Sequence, residues 1–272
     1  MSIGRLSILG LGLIGGSIAR AVRQQIPDCQ ITAYDNQPVD ANAVHVLAAS
    51  PEQACNNAEL IILCVPPGAV RSTLSLIRSA VPGDAIVSDV TSVKRSVLQA
   101  ASETLQFPAR FVGVHPMAGS ERSGMACARA DLFADASVVL TPDDRTDSRA
   151  LVEVETFWQR LGGVTVRMSA EEHDRRVALI SHLPHLLASA LIHLTDADAR
   201  SIAGNGFRDM TRIAAGDAAL WRQILSENHD QVKTSLGDLI AQLQSLDSLL
   251  NSNRRDELQN WLDNASRLRK SI

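Results

Sequence analysis

Three stretches of this sequence place chemically capable residues at spacings that let them act together. The first, Gly10-Leu-Gly12-Leu-Ile-Gly15, follows an apolar run and opens a segment of helical character. In that setting Gly10 permits a tight turn, Gly12 lets backbone approach a pyrophosphate, and Gly15 lets the helix pack on a sheet. The helix N-terminus, with Leu13 and Ile14 in its first turn, supplies free N–H donors and the positive end of a dipole. The next β-rich run closes on Asp35, where a carboxylate binds ribose hydroxyls and repels a 2′-phosphate. No arginine follows it in Asn36-Gln37-Pro38, so the expected cofactor is NAD rather than NADP. The second stretch is His115-Pro-Met-Ala-Gly-Ser120-Glu121 and the third is Ser181-His-Leu-Pro-His185. Histidine titrates nearest physiological pH and suits proton transfer. His182 and His185, three apart, share a helix face, but no third histidine or acidic cluster accompanies them, so no metal site is expected. His45, His173 and His229 stand in polar, exposed-looking sequence and His193 in an apolar helix; none is given a role.

These groups need a frame. Through residue 168, apolar runs at 6–9, 30–34, 60–65, 85–90, 110–114, 137–140 and 164–167 alternate with helical segments such as 17–25, 69–80 and 93–105, the last entered through Ser92 as N-cap. Such alternation argues an α/β, doubly wound, Rossmann-like sheet, mostly parallel and buried on both faces. Residues 39–50 support no definite strand. Carboxyl ends of strands line the ligand crevice of an open parallel sheet. Val65, Pro66, Asp89 and Ser92 are therefore candidates to contact the dinucleotide, and His115 sits at a strand end beside it.

After Met168 the β-branched runs stop. Ser169-Ala-Glu-Glu172 reads as a capping box opening a long helix, kinked at Pro184. Residues 203–206 break the pattern, and helices resume over 217–250 and 254–268. The expected division is a nucleotide-binding domain, 1–168, and an all-α substrate and dimerisation domain, 169–272. Leu236, Leu239, Ile240, Leu243, Leu246 and Leu250 form an apolar stripe that either packs within the chain or joins two copies as a homodimer.

Composition bounds the partners. The chain is 45% apolar and 21% charged, as in globular proteins, and its formal charge of −4 argues against nucleic-acid binding. No signal peptide is read at the N-terminus, and no run of about 18 apolar residues suggests a membrane span. Cys29, Cys55, Cys64 and Cys127 are scattered without a CxxC pair, which suits reduced thiols and a cytoplasmic location.

Together the glycine turn through Ser17, Asp89-Val-Thr-Ser92-Val-Lys94, the His115 and His185 segments, and Phe207-Arg-Asp-Met-Thr-Arg212-Ile-Ala214 with Trp221 resemble the prephenate/arogenate dehydrogenase family. The match in order and spacing runs from Ile3 to about Leu250. The resemblance implies a monofunctional, NAD-dependent enzyme that converts a cyclohexadienol to a phenol with loss of carbon dioxide, in tyrosine biosynthesis. It implies His115 as proton acceptor, with Ser92 and Ser181 holding its tautomer or the substrate hydroxyl. Arg212 would hold the ring carboxylate and His185 would orient the substrate from the helical domain. Ser120 would lie on the substrate side, and Glu121 would pair with Arg212, gate entry or stay solvated. Prephenate and arogenate differ only in the side chain, and no residue chooses between them. Two other readings are a hydroxy-acid dehydrogenase with a similar two-domain plan and a non-catalytic NAD sensor. The first wants a lysine on the interdomain helix, and none lies between Lys94 and Lys233; the second has no use for His115, His185 and Arg212 together.

Overall fold

Runs of Leu, Ile and Val with no polar face can only be strands covered on both sides. The computed structural model describes residues 3–120, 122–252 and 254–271. In chain order its first part holds β1 (Arg5–Leu9), α1 (Leu13–Gln25), β2 (Gln30–Tyr34), β3 (Val46–Leu47), α2 (Pro51–Cys55), β4 (Leu60–Leu63) and α3 (Val70–Ile77). There follow β5 (Ile86–Asp89), α4 (Arg95–Thr104), β6 (Phe111–Pro116), β7 (Ser137–Thr141), α5 (Ser148–Arg160) and β8 (Val164–Arg167). One sheet runs in the order β3-β2-β1-β4-β5-β6-β7-β8. It is parallel from β3 to β6; β7 pairs antiparallel with β6, and β8 parallel with β7. No long crossover helix separates β6 from β7, so the chain turns back, whereas α5 carries it across from β7 to β8.

Period-two alternation divides the core. Leu60 and Ile62 of β4 point to the layer of α1 and α5, where Ile18, Val22, Phe157 and Trp158 are buried. Ile61 and Leu63 point to the layer of α2, α3 and α4, with Leu74, Ile77 and Val97. All seven expected strands form. The eighth, β3, has only two residues, Val46 and Leu47, paired with Thr32 and Ala33. It lies in the stretch 39–50 that carried no strand signal, because an exposed two-residue edge needs no apolar run.

The second part is helical: α6 (Ala170–Val177), a π turn (Ala178–His182), α7 (Leu183–Leu194), α8 (Ala197–Ser201), α9 (Asn205–Thr211), α10 (Ala218–Glu227), α11 (His229–Asn251) and α12 (Arg255–Arg269). Ser169 caps α6 by accepting the Glu172 amide at 3.1 Å. One expectation is corrected. Ser92 does not cap α4, which starts at Arg95; the Asp174 carboxylate accepts the amides of Lys94 and Arg95 at 2.8 and 3.0 Å from 80 and 79 residues away. The helices expected over 217–250 are α10 and α11, which meet at Asn228, whose buried side chain donates to the Asp174 carbonyl at 2.7 Å.

The chain forms two compact units, Met1–Asn228 and His229–Ile272. The first joins the sheet to α6–α10, and Ile224 of α10 is part of the core under α3 and α4. The second consists of α11 and α12 packed on each other. By length and composition the continuous run Ala170–Leu194 is able to cross a bilayer, yet its first turns are tied to the sheet unit through Asp174.

The fold rests on one close approach. A Cβ on Gly15 would lie 1.9 Å from the Gly10 carbonyl oxygen, and Gly10 itself has φ +104°. Gly15→Ala should destabilise the chain by about 1–3 kcal/mol through overpacking, read as a lower thermal midpoint. An unchanged midpoint would mean that the turn tolerates a wider separation of α1 from β1.

Candidate active site

At β1 the strand order reverses, with β2 on one side and β4 on the other, and this is the switch point where an open sheet offers a crevice. The glycine turn fills that position. Gly12 is the N-cap of α1, with no side-chain cap and no acidic residue in the first turn, so the leading amides of Leu13 and Ile14 are not neutralised locally. A Cβ at Gly12 would meet nothing within 4 Å, whereas one at Gly10 would strike the Cys64 carbonyl at 2.5 Å. The turn is thus tight on the protein side and bare on the outer side, which fits a pyrophosphate. Asp35 ends β2 half-buried; its Oδ2 accepts the Leu11 amide at 2.7 Å and its Oδ1 the Gln37 amide at 2.8 Å. Each oxygen keeps a further lone pair for a hydroxyl. Val65 is half-buried and Pro66 exposed just past β4. The next loop is held from the helical part, where the Gln223 side chain accepts the Gly68 amide at 3.1 Å.

Asp89 corrects its expected place against the dinucleotide. It is fully buried and forms an ion pair with the equally buried Lys94, while its Oδ1 accepts the Val114 amide at 3.3 Å. Gly113 makes room for the lysine stem: a Cβ there would lie 3.4 Å from Lys94 Cδ and 2.6 Å from Thr141 Oγ1. Lys94 is therefore a buried structural cation beneath β6.

His115 lies in β6 and is 8% exposed. Its Nδ1 is 2.9 Å from Nε2 of His173, and the Nδ1 of His173 is 2.8 Å from Asp174 Oδ1. His173 was expected on the surface but is 1% exposed. The signal was present in the sequence: Ala170, His173, Asp174, Val177 and Ala178 fall on one face of α6, and all five are buried. The charged neighbours Glu171, Arg175 and Arg176 disguised a helix whose inner face holds a histidine and an acid.

The π turn decides which residues of the third stretch face inward. A 3.6-residue count from Val177 would turn Ser181 and Pro184 to the core. The wider turn instead buries His182 and His185, 0% and 7% exposed, and leaves Ser181 half-buried. It also accommodates Pro184, which cannot donate an amide to the helix. His185 stacks on Trp221, ring centroids 3.6 Å apart, and His182 meets the same indole edge-on. His182 Nδ1 is 3.3 Å from Asn228 Nδ2. Among the described residues His182 Nε2 and His185 Nδ1 are buried without a hydrogen-bond partner.

The remaining expected residues are more dispersed. Ser92 is half-buried next to α4. Arg212 is exposed on the turn 212–215 that packs against α7, the helix bearing His185. Ser120 is exposed, and its hydroxyl accepts the Arg122 amide at 3.0 Å in a local turn. Glu121 lies outside the described residues. No cluster of three or more metal-ligating side chains occurs among the described residues.

Burial is the first cause that holds His115 well below the usual histidine value, followed by repulsion from His173, Lys94 and His182. His182 is pushed down to about 4, mainly by burial against the pull of Asp174. Burial also lowers His173 and His185. The arrangement is a set of uncharged imidazoles around the carboxyl end of β6, the same end of the sheet as the glycine turn after β1, with β4 and β5 between them.

A dinucleotide crevice next to neutral proton acceptors defines a dehydrogenase of the Rossmann class with an added helical part. The profile of the prephenate dehydrogenase nucleotide-binding domain matches residues 18–167, and that of its dimerization domain matches residues 169–264. A cyclohexadienyl dehydrogenase of Zymomonas mobilis is 33% identical over 98% of this chain and 95% of its own. A prephenate dehydrogenase of A. aeolicus, crystallised with hydroxyphenyl propionate and NAD+, superposes with TM-score 0.93 at 31% identity, covering 100% of this chain and 99% of that one. A Synechocystis arogenate dehydrogenase gives TM-score 0.84 at 30% identity over 98% and 99%. The chain belongs to the prephenate dehydrogenase family.

Buried neutral histidines make stability depend on pH. Between pH 6.5 and about 4 the unfolded chain protonates His182 and the folded chain does not, so stability should fall as pH drops through that window. Denaturant midpoints across it should show the fall, and His182→Gln should flatten it. An equal slope in the variant would assign the loss to other groups.

Proposed function

We propose that this chain carries out the NAD-dependent oxidative decarboxylation of prephenate to 4-hydroxyphenylpyruvate in tyrosine biosynthesis. The observation that carries the reading is His115: buried, uncharged at neutral pH, and at the carboxyl end of β6, the same end of the parallel strands that carries the glycine turn. The relative crystallised with NAD+ and a hydroxyphenyl ligand supports both the cofactor and the ring chemistry.

Gly10, Gly12, Leu13, Ile14 and Gly15 would hold the pyrophosphate, Asp35 the adenosine ribose, and Val65 and Pro66 the flank. When bound, NAD supplies the hydride acceptor for C4 of the substrate ring. His115 takes the proton of the 4-hydroxyl as carbonyl character develops at C4. When the bond to the departing carbon dioxide has given its electrons to the ring, His115 returns the proton to the phenolate oxygen. An imidazole already protonated could not begin this cycle, which is why its desolvation matters. Ser92 and Ser181 would hydrogen-bond the hydroxyl or the ring of His115. His185, whose buried Nδ1 has no protein partner among the described residues, would meet a polar group of the substrate. Arg212 would hold the ring carboxylate with its planar fork. Ser120 and Glu121 are assigned to the substrate side on the resemblance alone.

Arogenate is the second reading, supported by the similarity to the arogenate and cyclohexadienyl dehydrogenases. We also infer a homodimer through the C-terminal helices. Leu236, Ile240, Leu243 and Leu250 of α11 are 38–59% exposed within a single chain, an apolar row of the kind that marks an interface.

Steady-state kinetics with both substrates and both nicotinamide dinucleotides tests the reading. Prephenate with NAD should give the highest kcat/KM, and a higher value for arogenate would replace it with the second reading. His115→Asn should lower kcat about 10²–10⁴-fold with little change in KM. The acid limb of wild-type kcat/KM should lie well below 6.5, because burial and the nearby Lys94 both resist protonation of His115. A limb at the ordinary histidine value would remove His115 from the role. Arg212→Ala should raise KM tens-fold, matching the roughly 2–5 kcal/mol of a charged contact, and leave kcat and NAD affinity nearly unchanged. A KM within about twofold of wild type would return Arg212 to a surface ion pair.

A further inference from the structure

Behind His115 the structure holds a chain of buried groups that the reaction as described does not use. Asp174 is fully buried and accepts the Lys94 amide on Oδ1 and the Arg95 amide on Oδ2, with the Arg95 guanidinium Nε 3.3 Å from the same Oδ2. Held by these donors, it stays ionised, and burial alone opposes them. A carboxylate only accepts hydrogen bonds. The 2.8 Å contact to His173 Nδ1 is therefore an N–H donated by His173. A neutral imidazole carries a single N–H, so Nε2 of His173 bears a lone pair. At 2.9 Å from His115 Nδ1 it can only accept.

We propose that His173 and Asp174 are positioning residues that fix the tautomer of His115, with the proton on Nδ1 and the bare lone pair on Nε2. This rests on the reading of His115 as the base. The groups around the two rings agree with it. Burial and Lys94 disfavour a charge on either histidine, His182 adds to this at His115, and at His173 they outweigh the pull of Asp174 and of Asp89, which is itself paired with Lys94. When Nε2 of His115 accepts the hydroxyl proton, no other bond need break. The Nδ1–H of the new imidazolium points at His173, whose own Nδ1–H points at the carboxylate, so the charge is met by an anion one ring away. Return of the proton to the phenolate restores the starting tautomer. Capping α4 explains the two amide bonds of Asp174, but a cap has no need of a second histidine between it and His115.

The test uses the full chain labelled with 15N at histidine, with His115 assigned by the signal lost in His115→Asn. Long-range 1H–15N spectra should show a protonated Nδ1 and a bare Nε2 for His115. In Asp174→Asn the amide donates instead, His173 reverses, and His115 should flip to the Nε2–H form. Its kcat should fall about 10²-fold or more while KM stays within about threefold. His173→Leu should lose kcat similarly, whereas His173→Gln, which keeps an acceptor and a donor at similar reach, should retain the tautomer and most of kcat. A wild-type His115 protonated at Nε2, or a His173→Leu variant keeping more than about half of kcat, would overturn the proposal. If His115→Asn stays active while the flip is still seen, the base reading fails and the tautomer control stands. If His115→Asn is inactive but His115 shows the wrong tautomer, the reverse holds.

Discussion

One carboxylate, Asp174, closes the frame on which the candidate site is built. It ends the orphan amides of α4 at Lys94 and Arg95, and its own carbonyl takes the side chain of Asn228. A helix of the second part is thereby joined to the strand–helix turn at β5 and to the end of α10. A buried carboxylate is costly unless its oxygens are satisfied. Because the carboxylate's donors come from the start of α4 and from α6, these two elements can move apart only by exposing an unpaired charge, while Asn228 ties the end of α10 to the same residue through its carbonyl. The position of His173 against His115 follows from that constraint.

The surroundings of the histidines are charged yet balanced. Asp89 and Lys94 are both fully buried and paired, so the ground beneath β6 carries no net charge while presenting an ammonium near His115. Such a pair contributes little to stability compared with an apolar replacement. Its effect here is electrostatic: the ammonium of Lys94 opposes protonation of His115.

The central strands β1, β4, β5 and β6 were legible because they are covered on both faces, which leaves an apolar run with sharp ends; 30–34 also matches β2 residue for residue, and 164–167 matches the edge strand β8, whose Val164 and Val166 are exposed. The two-residue β3 had no such signature. The glycine turn was legible because its requirements are local: a Cβ on Gly15 would lie 1.9 Å from the Gly10 carbonyl oxygen. What depends on distant partners was not. Ser92 looked like a cap, but the cap of α4 comes from Asp174, about 80 residues on. His173 looked solvated because its sequence neighbours are charged, although its helical phase with Ala170 and Val177 was readable. Ser181 and His185 were chosen from the third stretch, and the π turn buried His182 beside His185 instead.

That π turn takes up one residue more than an ordinary helical turn. Five residues, Ala178–His182, occupy a turn that an ordinary helix completes with fewer. Loss of one of them would let the turn close into the usual winding, with His182 and His185 then four and seven places past Val177 and still facing inward. Loss of a residue beyond the turn, between Leu183 and His185, has no such outlet: the rest of α7 would rotate by roughly 100° and shift by about 1.5 Å. His185 would leave Trp221, and the face of α7 that meets the turn 212–215 would point elsewhere. A substitution at Leu179 or Ile180, both exposed, leaves the phase intact. The wide turn is therefore the place in this helix where a change in the number of residues is absorbed, and the short segment after it is where such a change is felt.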